Sequence, residues 1–362
     1  MPPDADNVSQ RVQQFSRLET RLAAWPLPLL AVGLLLVAIA KVGVTFRPFQ
    51  ADPVESFPIP RDTWAQLSYG MRTVHWLTKS ESLLVPSLTA VLLLIISLGV
   101  AALAAHGLTT HTSSRILLIA LVLGPAFTVF LSNMGRPDGF TLTGALLLGL
   151  LGRSTFWGVV GAALMIAGNP EQAVIGAALL LGLTFLPHLA SWRRSAAIAL
   201  SLAITSYIAL ATYARSVGVG SRVQYLPELI GNSVYGFSAN LSLGLYAGYA
   251  VLWLALAVFA WQIRTAQVLW VFLLMVIIPV IITAATLDQT RVFVGITTSG
   301  IAAILVGTAP SIEKCLQRIS RRFVVLIALA TALFLPAFEV SSDHVVRPPL
   351  AWLYSNLISW IS

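Results

Sequence analysis

Cysteine and charge are what this sequence has least of, and each shortage removes a class of chemistry. A single cysteine, Cys315, forms no intramolecular disulfide, and no Cys-x-x-Cys or Cys/His cluster offers a zinc or iron–sulfur site. The five histidines, His75, His106, His111, His188 and His344, are dispersed without metal spacing, so each reads as an interface residue and no protein-held metal is expected, although a divalent metal stays open. There is no P-loop and no Gly-rich dinucleotide fingerprint, so no nucleotide cofactor is expected. Charged residues are 10% of 362, where a soluble domain carries about a quarter. The net charge of +8 rests on 22 Lys and Arg scattered between apolar segments, which reads as topology information and not as a nucleic-acid face.

What the chain does have is apolar length. Residues of hydrophobic type make up 57%, and the mean hydropathy is +0.85, so an all-α, polytopic membrane protein is expected. The run from Trp25 to Phe46 is long enough to cross about 30 Å of hydrocarbon at 1.5 Å per residue. It continues through Lys41 and ends at Arg47-Pro48, so it reads as an uncleaved anchor. Further runs near 83–106, 116–133, 140–152, 155–168, 172–190, 195–214, 241–262, 267–287, 292–309 and 323–340 bring the expected total to about eleven spans. The layout is a cytoplasmic segment 1–24, one transmembrane domain over 25–340 with outer loops 47–82 and 215–240, and an outer tail 341–362.

Charge sets the orientation. With the N-terminus in the cytoplasm, that side collects twelve basic and four acidic residues, and the other side ten of each. The chain is therefore expected in the cell membrane with its C-terminus outside. The acids are concentrated outside, many of them against span ends, so function is expected there.

Three features mark that side. The runs 140–152 and 155–168 are too short for ordinary spans, and the second stops at Gly168-Asn169-Pro170-Glu171-Gln172; such interrupted spans are tolerated where they are buried in protein or line a wet cavity. In the first outer loop, the proline-rich stretch with Asp52 and Glu55 predicts an extended segment. From Asp62 onward, Trp64, Leu67, Met71, Val74 and Leu77 recur at helical spacing, which predicts an interfacial amphipathic helix over 62–78 with Asp62 as its cap. Finally, acids and bases stand side by side at two span ends, Arg136 with Asp138 and Asp288 with Arg291. Ionised groups at the membrane centre cost about 2.5 to 3.5 kcal/mol each, so they face one another or a cavity. Glu171 joins this layer, and the Gly-rich loop at 215–240 adds Arg222 among tyrosines. Arginines suit a phosphate and carboxylates suit an activated hydroxyl. The candidate substrate-binding residues are Arg136, Asp138, Glu171, Arg222, Asp288 and Arg291, and the candidate bases are Asp52, Asp62 and Glu55.

This order of features resembles the C-type (GT-C) superfamily of membrane glycosyltransferases. The likeness rests on a first span followed by an acidic outer loop with an interfacial helix (Asp52 to Lys79), on the paired short spans 140–168, on Gly135-Arg136-Pro137-Asp138 leading into a span, and on Asp288-Gln289-Thr290-Arg291-Val292. The chain departs from that pattern in having no acidic doublet in the first loop, since Asp52 and Glu55 are separated by Pro53-Val54, and a soluble C-terminal domain is not expected. The resemblance implies transfer of a sugar from a polyprenyl-phosphate donor to a hydroxyl of a glycan, lipid or protein on the outer face. A first-loop carboxylate, Asp52 first and Asp62 second with Glu55 as orienting partner, would accept the proton. Membrane lipids would surround the enzyme, with no nucleic acid involved.

Two rivals share parts of this pattern. A polysaccharide polymerase or ligase uses a similar lipid-phosphate substrate but has its main outer loop late in the chain. A secondary transporter also uses broken helices, yet the sequence shows no matching halves, and its charges sit at span ends instead of mid-membrane.

Overall fold

The computed structural model describes residues 26–46, 69–78, 84–108, 111–216, 234–235, 238, 240–250, 252–263, 265–286, 288–316, 330, 339–340 and 345–346. The fold is helical. In chain order the helices are α1 (Leu27–Val42), α2 (Tyr69–Thr78), α3 (Leu84–His106), α4 (His111–Val122), α5 (Pro125–Ser132), α6 (Asp138–Leu151), α7 (Thr155–Gly168) and α8 (Pro170–Leu183). After a 3-10 turn at Pro187–Trp192 come α9 (Arg193–Ser216), α10 (Leu241–Tyr249), α11 (Leu252–Gln262) and α12 (Thr265–Phe272). A π-turn at Leu273–Ile277 leads into α13 (Ile278–Ala284), and α14 (Gln289–Leu316) follows. The pairing of β1 (Glu339–Val340) with antiparallel β2 (Val345–Val346) involves two residues per strand.

Among the described residues, five helical stretches are long and apolar enough to cross a membrane: Leu84–His106, Ser113–Ser132, Pro187–Tyr213, Ala266–Ala284 and Gln289–Ala309. The bent pair α10–α11, whose axes meet at 79°, makes a sixth if it is one crossing. Ala250 at the bend has φ 44°, a left-handed conformation that costs a β-carbon residue energy and breaks the helix there. The count of about eleven predicted from the runs is thus matched only in part. Helices α1, α6, α7 and α8 have 14 to 16 residues, and of the run 323–340 only residues 330 and 339–340 are among the described residues.

Helix α6 is the axis of the bundle. Its 14 residues rise only about 21 Å, and every position from Asp138 to Leu150 is buried, so the short run predicted at 140–152 is enclosed by protein. Close approach makes this possible. A Cβ on Gly144 would stand 2.4 Å from Gly161 O, and one on Gly161 would stand 2.7 Å from Gly144 O, so α6 and α7 cross backbone to backbone. On the α14 side, a Cβ on Gly149 would meet Ser299 O at 2.4 Å. Hydroxyls on α14 return to their own helix: Thr297, Thr298 and Thr308 donate to the carbonyls four residues back, at 2.6 to 2.7 Å. Further out, Tyr249 donates to Met275 O inside the π-turn, where the altered helical register leaves a carbonyl available.

Candidate functional site

Three helices begin in one layer at one end of this bundle, and each start is set by local chemistry. Before α6 the chain reverses through Gly135, whose φ of 92° is open to glycine and expensive for other residues. Arg136 N donates to Asn133 O at 3.1 Å across that turn, and Met134 N donates to Thr45 O at 3.1 Å, which ties the turn to the end of α1. Asp138 is then the first residue of α6. Helix α8 starts with a side-chain cap, since Asn169 Oδ1 accepts from Gln172 N at 3.1 Å, and Pro170 occupies the first position, where its missing N–H costs nothing. Glu171 follows in the first turn. Helix α14 starts at Gln289, directly after Asp288, whose carbonyl accepts from Val292 N at 3.0 Å.

The starts interlock. A Cβ on Gly168 would lie 2.3 Å from Thr141 Oγ1, and one on Gly295 would lie 2.2 Å from Gln172 Oε1. The two glycines therefore let α6, α8 and α14 carry polar side chains between them. Positive helix-dipole ends share this layer, which favours the carboxylates placed there.

Arg291 joins the charges. Its Nη2 donates to Asp138 Oδ2 at 2.7 Å, linking α14 to α6, and its Nη1 donates to Asp288 Oδ2 at 2.7 Å within the same segment. Two anions around one cation leave this cluster with a formal charge of minus one. The side chains of Arg291 and Asp138 are 14% and 9% exposed, and that of Asp288 is 49% exposed. The Asp138 arm therefore lies in a lower dielectric and is the stronger of the two.

Sequence spacing paired Asp138 with its neighbour Arg136. The structure keeps Asp288 with Arg291 but turns Asp138 to the same arginine across 153 residues. Arg136 is half-buried in the turn beside α6, and Glu171 is half-buried in the first turn of α8, in the same layer but outside this link. Asp52, Glu55, Asp62 and Arg222 lie outside the described residues. Of the predicted interfacial helix 62–78, Tyr69–Thr78 is described and helical. Its seat is Gly70, where a Cβ would lie 2.9 Å from Ala167 O and 3.0 Å from the Phe140 ring, so this helix packs against α6 and α7 near Asp138. Of the apolar stripe expected there, Val74 packs on the core while Leu77 is exposed.

Spacing did not single out Thr141 and Gln172. Both are buried, and among the described residues Thr141 Oγ1 and Gln172 Oε1 have no hydrogen-bond partner. A buried polar atom without a partner costs about 1 to 3 kcal/mol, so a bundle of this composition carries them at a loss unless something uses them. The signal was available: Thr141 stands one turn after Asp138, and Gln172 directly follows Glu171. Among the described residues, no three His, Cys, Asp or Glu gather to hold a metal. A small apolar cavity lies away from the charges, at the α10–α11 bend, lined in part by Leu121, Tyr249, Leu252 and Thr297. No family model, no curated protein and no solved structure matches this chain.

Proposed function

We propose that the chain is a membrane glycosyltransferase of GT-C type, moving a sugar from a polyprenyl-phosphate donor to a hydroxyl acceptor on the outer face of the membrane. One observation carries this reading: the starts of α6, α8 and α14, the Asp138–Arg291–Asp288 link and helix α2 all meet in one layer at one end of an apolar bundle. In this reading the chain crosses the cell membrane about eleven times, with its N-terminus in the cytoplasm and the acidic layer outside. Asp52 accepts the proton of the attacking hydroxyl, with Asp62 next in rank and Glu55 orienting. Arg136, at the rim, is the cation for the departing lipid phosphate. Arg291 has both terminal nitrogens on carboxylates, so it acts chiefly by fixing Asp138 and Asp288 and by the field it adds, while Glu171, Thr141 and Gln172 supply polar contacts to the sugar.

The experiment is turnover. Purified protein supplied with a polyprenyl-phosphate sugar and a hydroxyl acceptor should release free polyprenyl phosphate, and lipids that co-purify should include such a donor by mass spectrometry. A transporter is the second reading, favoured by the 79° break at Ala250 and the nearby π-turn. Steady solute uptake into proteoliposomes with no turnover of any lipid-linked sugar would move the assignment there.

A further inference from the structure

The opposite end of the bundle holds three arginines for which the carboxylate layer has no use. Arg153 lies in the turn between α6 and α7, and Arg193 and Arg194 open α9; all three are exposed. The fold fixes where they stand. Buried Trp192 donates from Nε1 to Gly149 O at 3.0 Å, which ties the start of α9 to the end of α6. The guanidinium of Arg153 stacks over the same indole, 4.5 Å from its centroid. Arg193 donates from Nη2 to Thr184 O at 2.9 Å, closing the end of α8, and lies over the Phe185 ring at 5.3 Å. A Cβ on Gly158 would stand 2.5 Å from Ser195 Cβ, so α7 and α9 start side by side and bring Arg153 to the Arg193–Arg194 pair. Among the described residues, no carboxylate pairs with any of the three.

Around these cations the surface is apolar. Phe156 and Trp157, in the first turn of α7, and Phe185, just past the end of α8, are exposed beside them, where aromatic side chains sit at headgroup depth. A guanidinium has five N–H donors, and stacking on a ring occupies none of them, so each arginine keeps donors for a phosphate. A soluble anion would use the arginines alone. A phospholipid also lays acyl chain on Phe156, Trp157 and Phe185, so the combination selects a lipid. We infer that Arg153, Arg193 and Arg194 form a binding site for the headgroup phosphate of an anionic phospholipid, in the leaflet at the Trp192 end of the bundle. The site is independent of the sugar-transfer chemistry, and Trp192 serves it by holding Arg153 and the start of α9 in one patch.

Native mass spectrometry of the detergent-purified full chain tests this, with phosphatidylglycerol and phosphatidylcholine of identical acyl chains as probes. Wild type should retain phosphatidylglycerol over phosphatidylcholine by about tenfold or more. The Arg153→Gln/Arg194→Gln double variant should lose that preference, Arg193 being kept because it closes α8. The Arg153→Lys/Arg194→Lys variant keeps the charge and should keep most of the preference, which separates lost charge from disturbed folding. Equal retention of both lipids by wild type, a glutamine variant that still prefers phosphatidylglycerol, or displacement of bound lipid by millimolar inorganic phosphate would each overturn the assignment.

Discussion

At the scale of residues, Arg291 decides how the carboxylate layer holds together, because one planar group serves two acids from different parts of the chain. Its two arms are unequal. The arm to Asp138 joins two side chains that are 14% and 9% exposed, whereas Asp288 is 49% exposed and its pairing competes with water. Arg291→Gln would leave Asp138 charged and buried without its partner, a loss of about 3 to 5 kcal/mol. Asp288→Asn breaks an exposed contact and should cost about 1 kcal/mol or less. Arg291→Lys keeps the charge but not the fork, so a single ammonium cannot hold both acids, and it should fall between the two. Unfolding in detergent, followed by denaturant titration, reads this order. Equal losses for Asp288→Asn and Arg291→Gln would mean that the link to α6 contributes nothing beyond its surface arm.

At the scale of elements, apolar period and length were enough to find α3, α9 and α14 in the sequence, because a run of twenty or so apolar residues has few alternatives to a helix. The short runs at 140–152 and 155–168 were visible too, and Asp138 to Leu150 proves fully buried, as a short membrane helix must be. What spacing does not carry is which neighbour each element meets. Asp138 looked like the partner of Arg136 because they stand two positions apart, but a helix start aims side chains according to the packing of other helices, and Arg291 arrives from far along the chain. The same limit hid Thr141 and Gln172, ordinary polar residues until Gly168 and Gly295 come against them. Glycine contacts therefore test the packing directly. A methyl on Gly144 would stand 2.4 Å from Gly161 O and 2.6 Å from Met165 N, both backbone atoms that no rotamer change can move. Gly144→Ala should destabilise the protein by about 1 to 3 kcal/mol through overpacking, despite alanine's better helix propensity. Gly99, where a Cβ would meet nothing within 4 Å, is the control, and Gly99→Ala should be neutral or slightly stabilising by the same thermal melt. If Gly144→Ala melts no lower than Gly99→Ala, the α6–α7 crossing is looser than described.

At the scale of the whole molecule, the two ends of the bundle differ in charge chemistry, and a membrane turns that difference into sidedness. One end holds Asp138 and Asp288 on Arg291, with Glu171 in the same layer, and the other gathers Arg153, Arg193 and Arg194 without a paired acid among the described residues. Short segments rich in arginine stay on the cytoplasmic side during insertion, whereas acids contribute little to orientation, so the Trp192 end should face the cytoplasm and the Asp138 end the exterior. The helices agree with this on geometry: α6, α8 and α14 start in the acidic layer, and α7 and α9 start at the arginine end, so the chain alternates between the two. Labelling settles the sense of that alternation. In a variant with Cys315 replaced by serine, Arg136→Cys should react with a membrane-impermeant maleimide added to intact cells, while Ser191→Cys, exposed at the Trp192 end, should react only after the membrane is opened. Reaction of position 191 but not 136 in intact cells would invert the protein and move the acidic layer, with its proposed lipid-phosphate chemistry, to the cytoplasmic face. Reaction of both positions in intact cells would contradict the separation of the two ends across one membrane, on which the α6 to α9 alternation depends.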